Sequence, residues 1–432
     1  MIKIQPNHIN SLQFFHLLRY AANILISVLL AKSYLSTKEI GIYESFLFYF
    51  SIFTFFWLTG LIQGILSINK KEGDQKYLRI LIFNGFILSL VFSLLTVLLS
   101  LLFLPDLFST ETSELTMLFV VYLILTPSTW LIEYIILLNK QYRKLILYGL
   151  LNFILQIIMV GMIPIIGLPL FWIFYGMLVV TIIKWFILSY MLYNRFSESI
   201  SLKISKQILK TSWPLIITAI LTSSAVFIDG LLINLKFDES QFAIFRYGAK
   251  EFPIFILMAT SFSNSLLMRF SGTKEINPVL HEIKHESGKM IKTLFPVSII
   301  LLLISQHLYP LVFNPDFLES YRIFDIYLLL VVSRFVFPQT IFIGLQKTDF
   351  VLKAGFLELV INIISSIILI QYFGIIGVAY GTIIAFYFEK ILLIYYAKNK
   401  LQIEPSKYIN VKILFFFSTL LWLIFILKNL II

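Results

Sequence analysis

Thirteen stretches of this chain stay apolar for about 20 residues or more, the length a helix needs to cross the hydrocarbon core of a bilayer. They fall at 12–31, 42–68, 78–104, 115–138, 145–166, 170–193, 213–235, 242–268, 291–313, 322–345, 351–371, 375–397 and 410–431. The runs are continuous, without the period-two alternation of a β-barrel strand. A backbone in lipid must satisfy its own polar groups, and a helix does so within one segment. The expected fold is therefore all-α and polytopic. Composition agrees: 59% of the 432 residues are hydrophobic and 13% are charged, against about a quarter charged in a soluble domain. The absence of cysteine excludes disulfides, thiolate metal sites and a cysteine nucleophile. The first stretch carries Arg19 and is followed by no small-residue cleavage site, so it reads as a span rather than a signal peptide.

The loops carry an asymmetry. Lys32, Lys38, Lys236, Arg322 and Lys428 lie on one side of the expected spans, and twenty-three lysines and arginines lie on the side of the N-terminus. Cytoplasmic loops are enriched in these residues, so the N-terminus is expected inside. In a soluble protein the net charge of +11 would suggest nucleic acid; here it reports basic loops. With thirteen spans the C-terminus lies outside, and with twelve it returns to the cytoplasm.

The chain repeats itself. EIGIYESFLFYFSIFTFF from Glu39 is similar to QFAIFRYGAKEFPIFILM from Gln241, and LPDLF (104–108) to NPDFL (314–318). LLNKQYRK (137–144) is similar to GLQKTDFV (344–351), and IIGLPLFWIFYG (165–176) to YFGIIGVAYG (372–381). Six helices per repeat return the chain to its starting side, which predicts two lobes related by a pseudo-twofold axis along the membrane normal, with the substrate site between them. The expected organisation is an N-lobe over 1–196, an amphipathic inter-lobe connection over 197–212, a C-lobe over 213–400 and an additional helix within 401–432.

Six basic residues fall inside expected spans: Arg19, Lys184, Arg246, Lys250, Arg334 and Lys390. Each costs about 2.5–3.5 kcal/mol at a helix centre on insertion scales. Arg246 and Lys250 stand at i and i+4, so they are expected on one helix face; Glu251 is turned about 100° away. Any one of the six could form a helix-to-helix ion pair that fixes packing. As a set they fit a water-filled cationic cavity, and a guanidinium fork suits phosphate oxygens. The intramembrane acids are Glu44, Glu133, Asp229, Glu251, Glu358 and Glu389, with Asp325 near a span end. Repeat spacing makes Glu44 the counterpart of Arg246 and Lys184 that of Glu389, so these could pair across the lobes, although Glu389 could equally neutralise Lys390. Glu44, Asp229, Glu251, Glu358 and Glu389 are the candidates for gating or ion coupling. Asn23, Asn152, Gln156 and Asn362 read as packing hydrogen bonds. Pro127, Pro164, Pro214, Pro253 and Pro338 mark kinks.

HEIKH (281–285) matches the zinc-protease pattern H-E-x-x-H. It lies in the long polar stretch 269–290, densely charged and without an evident third ligand, and reads as a solvated amphipathic segment. No metal site or cofactor is expected. No phosphate-binding G-x-x-x-x-G-K-[ST] loop occurs, so the chain is not itself an ATP-driven pump. The outward loops are too short for an enzyme acting on external glycans.

Three segments carry a resemblance: TSWPLIITAILTSSAVFIDGLLINLKFDESQFAIFRYGAKEFP (211–253), LLRYAANILISVLLAKSYLSTKEIGIYES (17–45) and YFGIIGVAYGTIIAFYFEKILL (372–393). In these the chain resembles the bacterial lipid-linked oligosaccharide flippases, the Wzx-type polysaccharide exporters of the MOP superfamily. The resemblance spans almost the whole chain as scattered positions without one decisive motif. It implies two six-helix lobes, a central cationic cavity and an undecaprenyl-pyrophosphate-linked sugar repeat as cargo, in the inner membrane of a cell building O-antigen or another lipopolysaccharide component. A polysaccharide polymerase or chain-length protein would be its natural partner. The thirteenth helix departs from the usual even count. Two alternatives stay open: a cation or drug antiporter of the same fold, and an integral-membrane enzyme of glycan assembly or intramembrane proteolysis.

Overall fold

The computed structural model describes residues 8–68, 75–102, 113–193, 200–272 and 275–431. The LPDLF copy and the start of the expected connection (197–199) lie outside the described residues. Among those described, the chain is helical with no strand. Among the described residues, ten helices are long and apolar enough to cross a membrane, and a pair bent by 44° makes an eleventh span if taken together. The chain has the architecture of a multi-pass membrane protein.

Two compact units divide it, Met1–Ile220 and Leu221–Ile432. The first holds α1 (His8–Lys32), α2 (Thr37–Ile68), α3 (Gln75–Ser100), α4 (Ser113–Thr129), α5 (Leu131–Leu138) and α6 (Tyr142–Gln156). It continues through a π-helical turn (Ile157–Gly161) into α7 (Met162–Ile165) and α8 (Leu170–Tyr193). Helix α9 (Leu202–Lys236) runs unbroken for 35 residues across the unit boundary. Residues 202–212, expected from sequence within the inter-lobe connection, form the first turns of this helix. Their basic amphipathic character hid the continuity.

A capping box starts α2. Ser36 Oγ accepts the Glu39 N–H at 3.2 Å, and the Glu39 carboxylate reaches back to the Ser36 N–H at 2.9 Å, which satisfies two orphan donors of the first turn. Glycines let α2 and α9 approach closely. A Cβ on Gly60 would meet the Ile216 N at 2.7 Å, and one on Gly64 the Ser212 Cβ at 3.0 Å. Hydroxyls within the spans turn back onto carbonyls one turn earlier, as in Ser27 to Asn23 and Thr54 to Phe50, so they enter the bilayer already bonded.

The second unit holds α10 (Glu239–Gly248), α11 (Pro253–Gly272), α12 (Ile276–Val312), α13 (Ser320–Leu328), α14 (Val331–Arg334) and α15 (Pro338–Gly344). It ends with α16 (Thr348–Phe373), α17 (Ile375–Leu401), a short α18 (Pro405–Tyr408) and α19 (Val411–Ile431). Two expected spans are interrupted. The 242–268 stretch breaks between Gly248 and Pro253, and the 322–345 stretch between Arg334 and Pro338. Proline disfavours helix at the residue before it and is tolerated at a helix's first position, so each break closes on a proline. A stacked Tyr247–Phe317 pair (4.3 Å) and the bond from Ser320 Oγ to the Ile244 carbonyl (2.8 Å) pin the stub α10.

The repeated turns share a conformation. Lys140 and Gln346 both have left-handed backbones (φ 55° and 58°), and Gly167 and Gly374 both have positive φ. Gly167 and Gly374 are each the third residue of their repeated segments, and Lys140 and Gln346 fall one register position apart in theirs.

Candidate functional site

Ionisable side chains inside apolar helices are costly unless paired or hydrated, so they mark where function is to be sought. In the first unit, Arg19 of α1 donates to Glu133 Oε1 of α5. The Arg19 guanidinium lies 5.1 Å from both the Phe15 and the Trp130 ring centroids. Lys184 of α8 lies within electrostatic reach of Glu133 and Arg19. His16 is within such reach of Arg19, and Tyr134 and Tyr148 are within reach of both members of the pair. Three helices thus bring two cations and one acid together among aromatic rings. Glu44 is buried in α2.

The second unit gathers more acid. Asp229 of α9 is buried and accepts three side-chain donors: Thr382 Oγ1 at 2.5 Å, Tyr327 Oη at 3.0 Å and Asn362 Nδ2 at 3.2 Å. These come from α17, α13 and α16. Arg334 forms a bidentate pair with Glu251, Nε to Oε2 at 3.0 Å and Nη2 to Oε1 at 2.5 Å, and lies 4.9 Å from the Phe386 ring centroid. Both residues sit at the interruptions, so one ion pair ties the two breaks together. Glu358 is within electrostatic reach of Glu389, Lys390, Arg334 and Asp229.

Several sequence expectations are corrected here. Arg246 and Lys250 do not share a helix face: Arg246 lies in the last turn of α10, and Lys250 lies beyond the Ala249 cap with its ammonium 4.0 Å from the Tyr247 ring centroid. Continuous apolarity concealed the break that separates them. Glu389 pairs with its own neighbour Lys390 at 2.9 Å, the alternative the sequence offered for it. Lys428, read as an outer-loop lysine, is half-buried on α19, 2.5 Å from Asp325 Oδ2. Its ammonium also bonds Ser305 Oγ (2.6 Å) and the Leu302 carbonyl (2.7 Å).

Residues 276–290, expected within a polar loop, are the first turns of α12. His281 and His285 are both exposed there; Glu282 pairs with Arg269 and His285 with Glu286. No metal-holding cluster occurs among the described residues.

Sequence reading missed the roles of Glu133, Trp130 and Thr382. Glu133 was visible as an intramembrane acid, but its partner stands 114 residues away. The run WLIEY (130–134), an acid flanked by aromatics in an apolar span, was the available signal.

No family model matches the chain, and no curated protein matches it by sequence. Solved structures do. The chain is similar to the lipid II flippase MurJ in an inward closed conformation, with TM-score 0.67 and 19% identity over 96% of this chain and 92% of that one. It is also similar to an inward-facing multidrug resistance MATE family transporter of the MOP superfamily, with TM-score 0.68 and 15% identity over 88% and 94% of the two chains. A third is a MOP superfamily transporter from Pyrococcus furiosus, described by a reverse polarity of its binding pocket, with TM-score 0.55 and 15% identity over 91% and 94%. These neighbours are transporters and a flippase, not enzymes. The chain therefore has the fold of the MOP-superfamily transporters.

Proposed function

We propose that this protein flips a polyprenyl-pyrophosphate-linked oligosaccharide from the cytoplasmic to the outer leaflet of a bacterial inner membrane by alternating access, as a Wzx-type exporter. The observation that carries the reading is the likeness to a lipid II flippase over 96% of the chain, in a protein whose first unit gathers Arg19 and Lys184 around a single acid. The cargo has three parts with different needs. A lipid tail can remain between helices in the bilayer. A glycan and a diphosphate cannot cross hydrocarbon without partners, because each unpaired polar group costs several kcal/mol. Arg19, Lys184, Arg246, Lys250, Arg334 and Lys390 are proposed to receive the diphosphate and sugars in a cavity between an N-lobe and a C-lobe, with the lobe boundaries expected from the repeat. An inside-negative potential favours outward movement of anionic charge by about 2.3 kcal/mol per charge for each 100 mV.

Asp229 is the proposed ion-coupling carboxylate, with Glu358 beside it; Glu44, Glu251 and Glu389 are proposed to gate. Three neutral donors converge on Asp229, and among the described residues no basic side chain pairs with it. In such an environment a proton or a small cation can exchange.

A second reading, a cation or drug antiporter, draws support from the acid-rich second unit and the likeness to a multidrug transporter. One assay separates them. Purified protein is placed in vesicles holding a fluorescent polyprenyl-diphosphate glycan, and its appearance in the opposite leaflet is followed by chemical quenching. Protein-dependent exchange of the glycan lipid supports the flippase. Accumulation of a lipophilic cation without glycan exchange rejects it in favour of the antiporter.

A further inference from the structure

Of the Glu133, Glu251 and Asp325 carboxylates, each held in an ion pair with a residue distant in the chain, Glu133 is the loosely held one. The Glu251 carboxylate uses both oxygens on Arg334, and Asp325 uses one on Ser305 and the other on Lys428. Glu133 uses Oε1 on Arg19, while its Oε2 is buried without a hydrogen-bond partner among the described residues. A buried charged oxygen without a donor forgoes the stabilisation that a fixed structural pair normally recovers. The local charge is also unbalanced: Arg19 and Lys184 face one acid, a formal surplus of one positive charge. Access is one-sided. The Arg19 side chain is 28% exposed while that of Glu133 is 6% exposed, so the guanidinium is the more accessible member of the pair. The Phe15 and Trp130 rings lie against the guanidinium, each centroid 5.1 Å away.

We propose that Glu133 is an internal stand-in for the ligand: it occupies Arg19 while the site is empty, and an incoming diphosphate displaces it to bind Arg19 and Lys184 together. This rests on the flippase reading for the identity of the anion. The exchange makes binding competitive with an intramolecular carboxylate. Affinity is lower than two free cations would give, and release is assisted, because Glu133 recaptures Arg19 as the diphosphate leaves. A transporter benefits from this, since a site that holds its cargo too firmly does not turn over.

The test is titration calorimetry of inorganic pyrophosphate into detergent-solubilised full-length protein. Replacing the stand-in, Glu133→Gln, should tighten pyrophosphate binding about tenfold, the scale of one charge-assisted hydrogen bond no longer competed for. Arg19→Gln should abolish binding, and Lys184→Met should weaken it. Because E133Q leaves two cations without an acid and could fail to fold, the same comparison is made on a charge-matched background. E133Q/K184M retains the wild-type formal surplus of one, and it should bind about tenfold more tightly than K184M alone. Equal or weaker binding in the member of either folded pair that carries E133Q overturns the proposal and leaves Glu133 a packing partner. Undiminished binding in R19Q also overturns it, by placing the anion elsewhere. The two readings fail separately. Vesicles that flip the glycan lipid while E133Q leaves pyrophosphate affinity unchanged sink the stand-in alone. The tenfold effect in a protein that moves no glycan lipid sinks the flippase alone.

Discussion

Arg334 and Glu251 show what a charge inside an apolar stretch of chain requires. Each would be expensive in hydrocarbon alone, yet a planar fork meeting a carboxylate recovers two parallel charge-assisted bonds. Removing one partner leaves the other half-buried and unmatched, which costs up to about 3–5 kcal/mol where buried pairs have been broken. E251Q or R334M should therefore lower unfolding stability in detergent by that order, and the double variant should recover most of the loss. Asp229 makes a different prediction, because its partners are neutral. D229N keeps the shape and can still bond Tyr327 and Thr382, so the protein should fold and reach the membrane. Transport by D229N should no longer respond to an imposed ion gradient; a retained response in vesicles would remove Asp229 from the coupling role.

Among elements, the interruptions are the part least legible in the sequence. Hydropathy integrates over some 19 residues and passes over a gap of three or four, so 242–268 and 322–345 read as whole spans. Pro253 and Pro338 stood in the sequence as marks of bending, and both prove to open the helix after a break. Among the described residues, all thirteen apolar stretches fall on mainly helical chain, because length and apolarity alone decide whether a segment can be solvated by lipid. The partners of the charges were not legible in that way. Arg19 and Glu133 meet through tertiary packing that no local pattern encodes, and Lys428 looked peripheral because it lies close to the end of its apolar run. The opening turns of α12 give a further prediction. His281 and His285 are exposed, and Glu282 is occupied by Arg269, so H281A/H285A should transport at the wild-type rate. Neither form should retain zinc on metal analysis after dialysis.

The whole molecule offers an unusual experimental convenience: it contains no cysteine. Single cysteines introduced at surface positions report sidedness without a background to remove. With the N-terminal side inside, a cysteine at Lys140 or Lys347 should resist a membrane-impermeant maleimide added to intact cells and react after permeabilisation. A cysteine at Lys38 should react in both. The reverse pattern would overturn the orientation drawn from the basic loops. The repeat is expected from similar phrases a little over 200 residues apart, and the turns at Lys140 and Gln346, one register position apart, both carry a left-handed backbone. The distribution of charge between the repeats was not legible, because equivalent positions carry different side chains.

The Asp325–Lys428 bond has a consequence for how such a chain can change over generations. An early stop codon that deleted the last helix would strand a carboxylate among the aromatic rings it leaves behind. The final segment is therefore not a dispensable tail. A lineage could discard it only after position 325 had first become neutral, and a homologue ending sooner should carry an uncharged residue there.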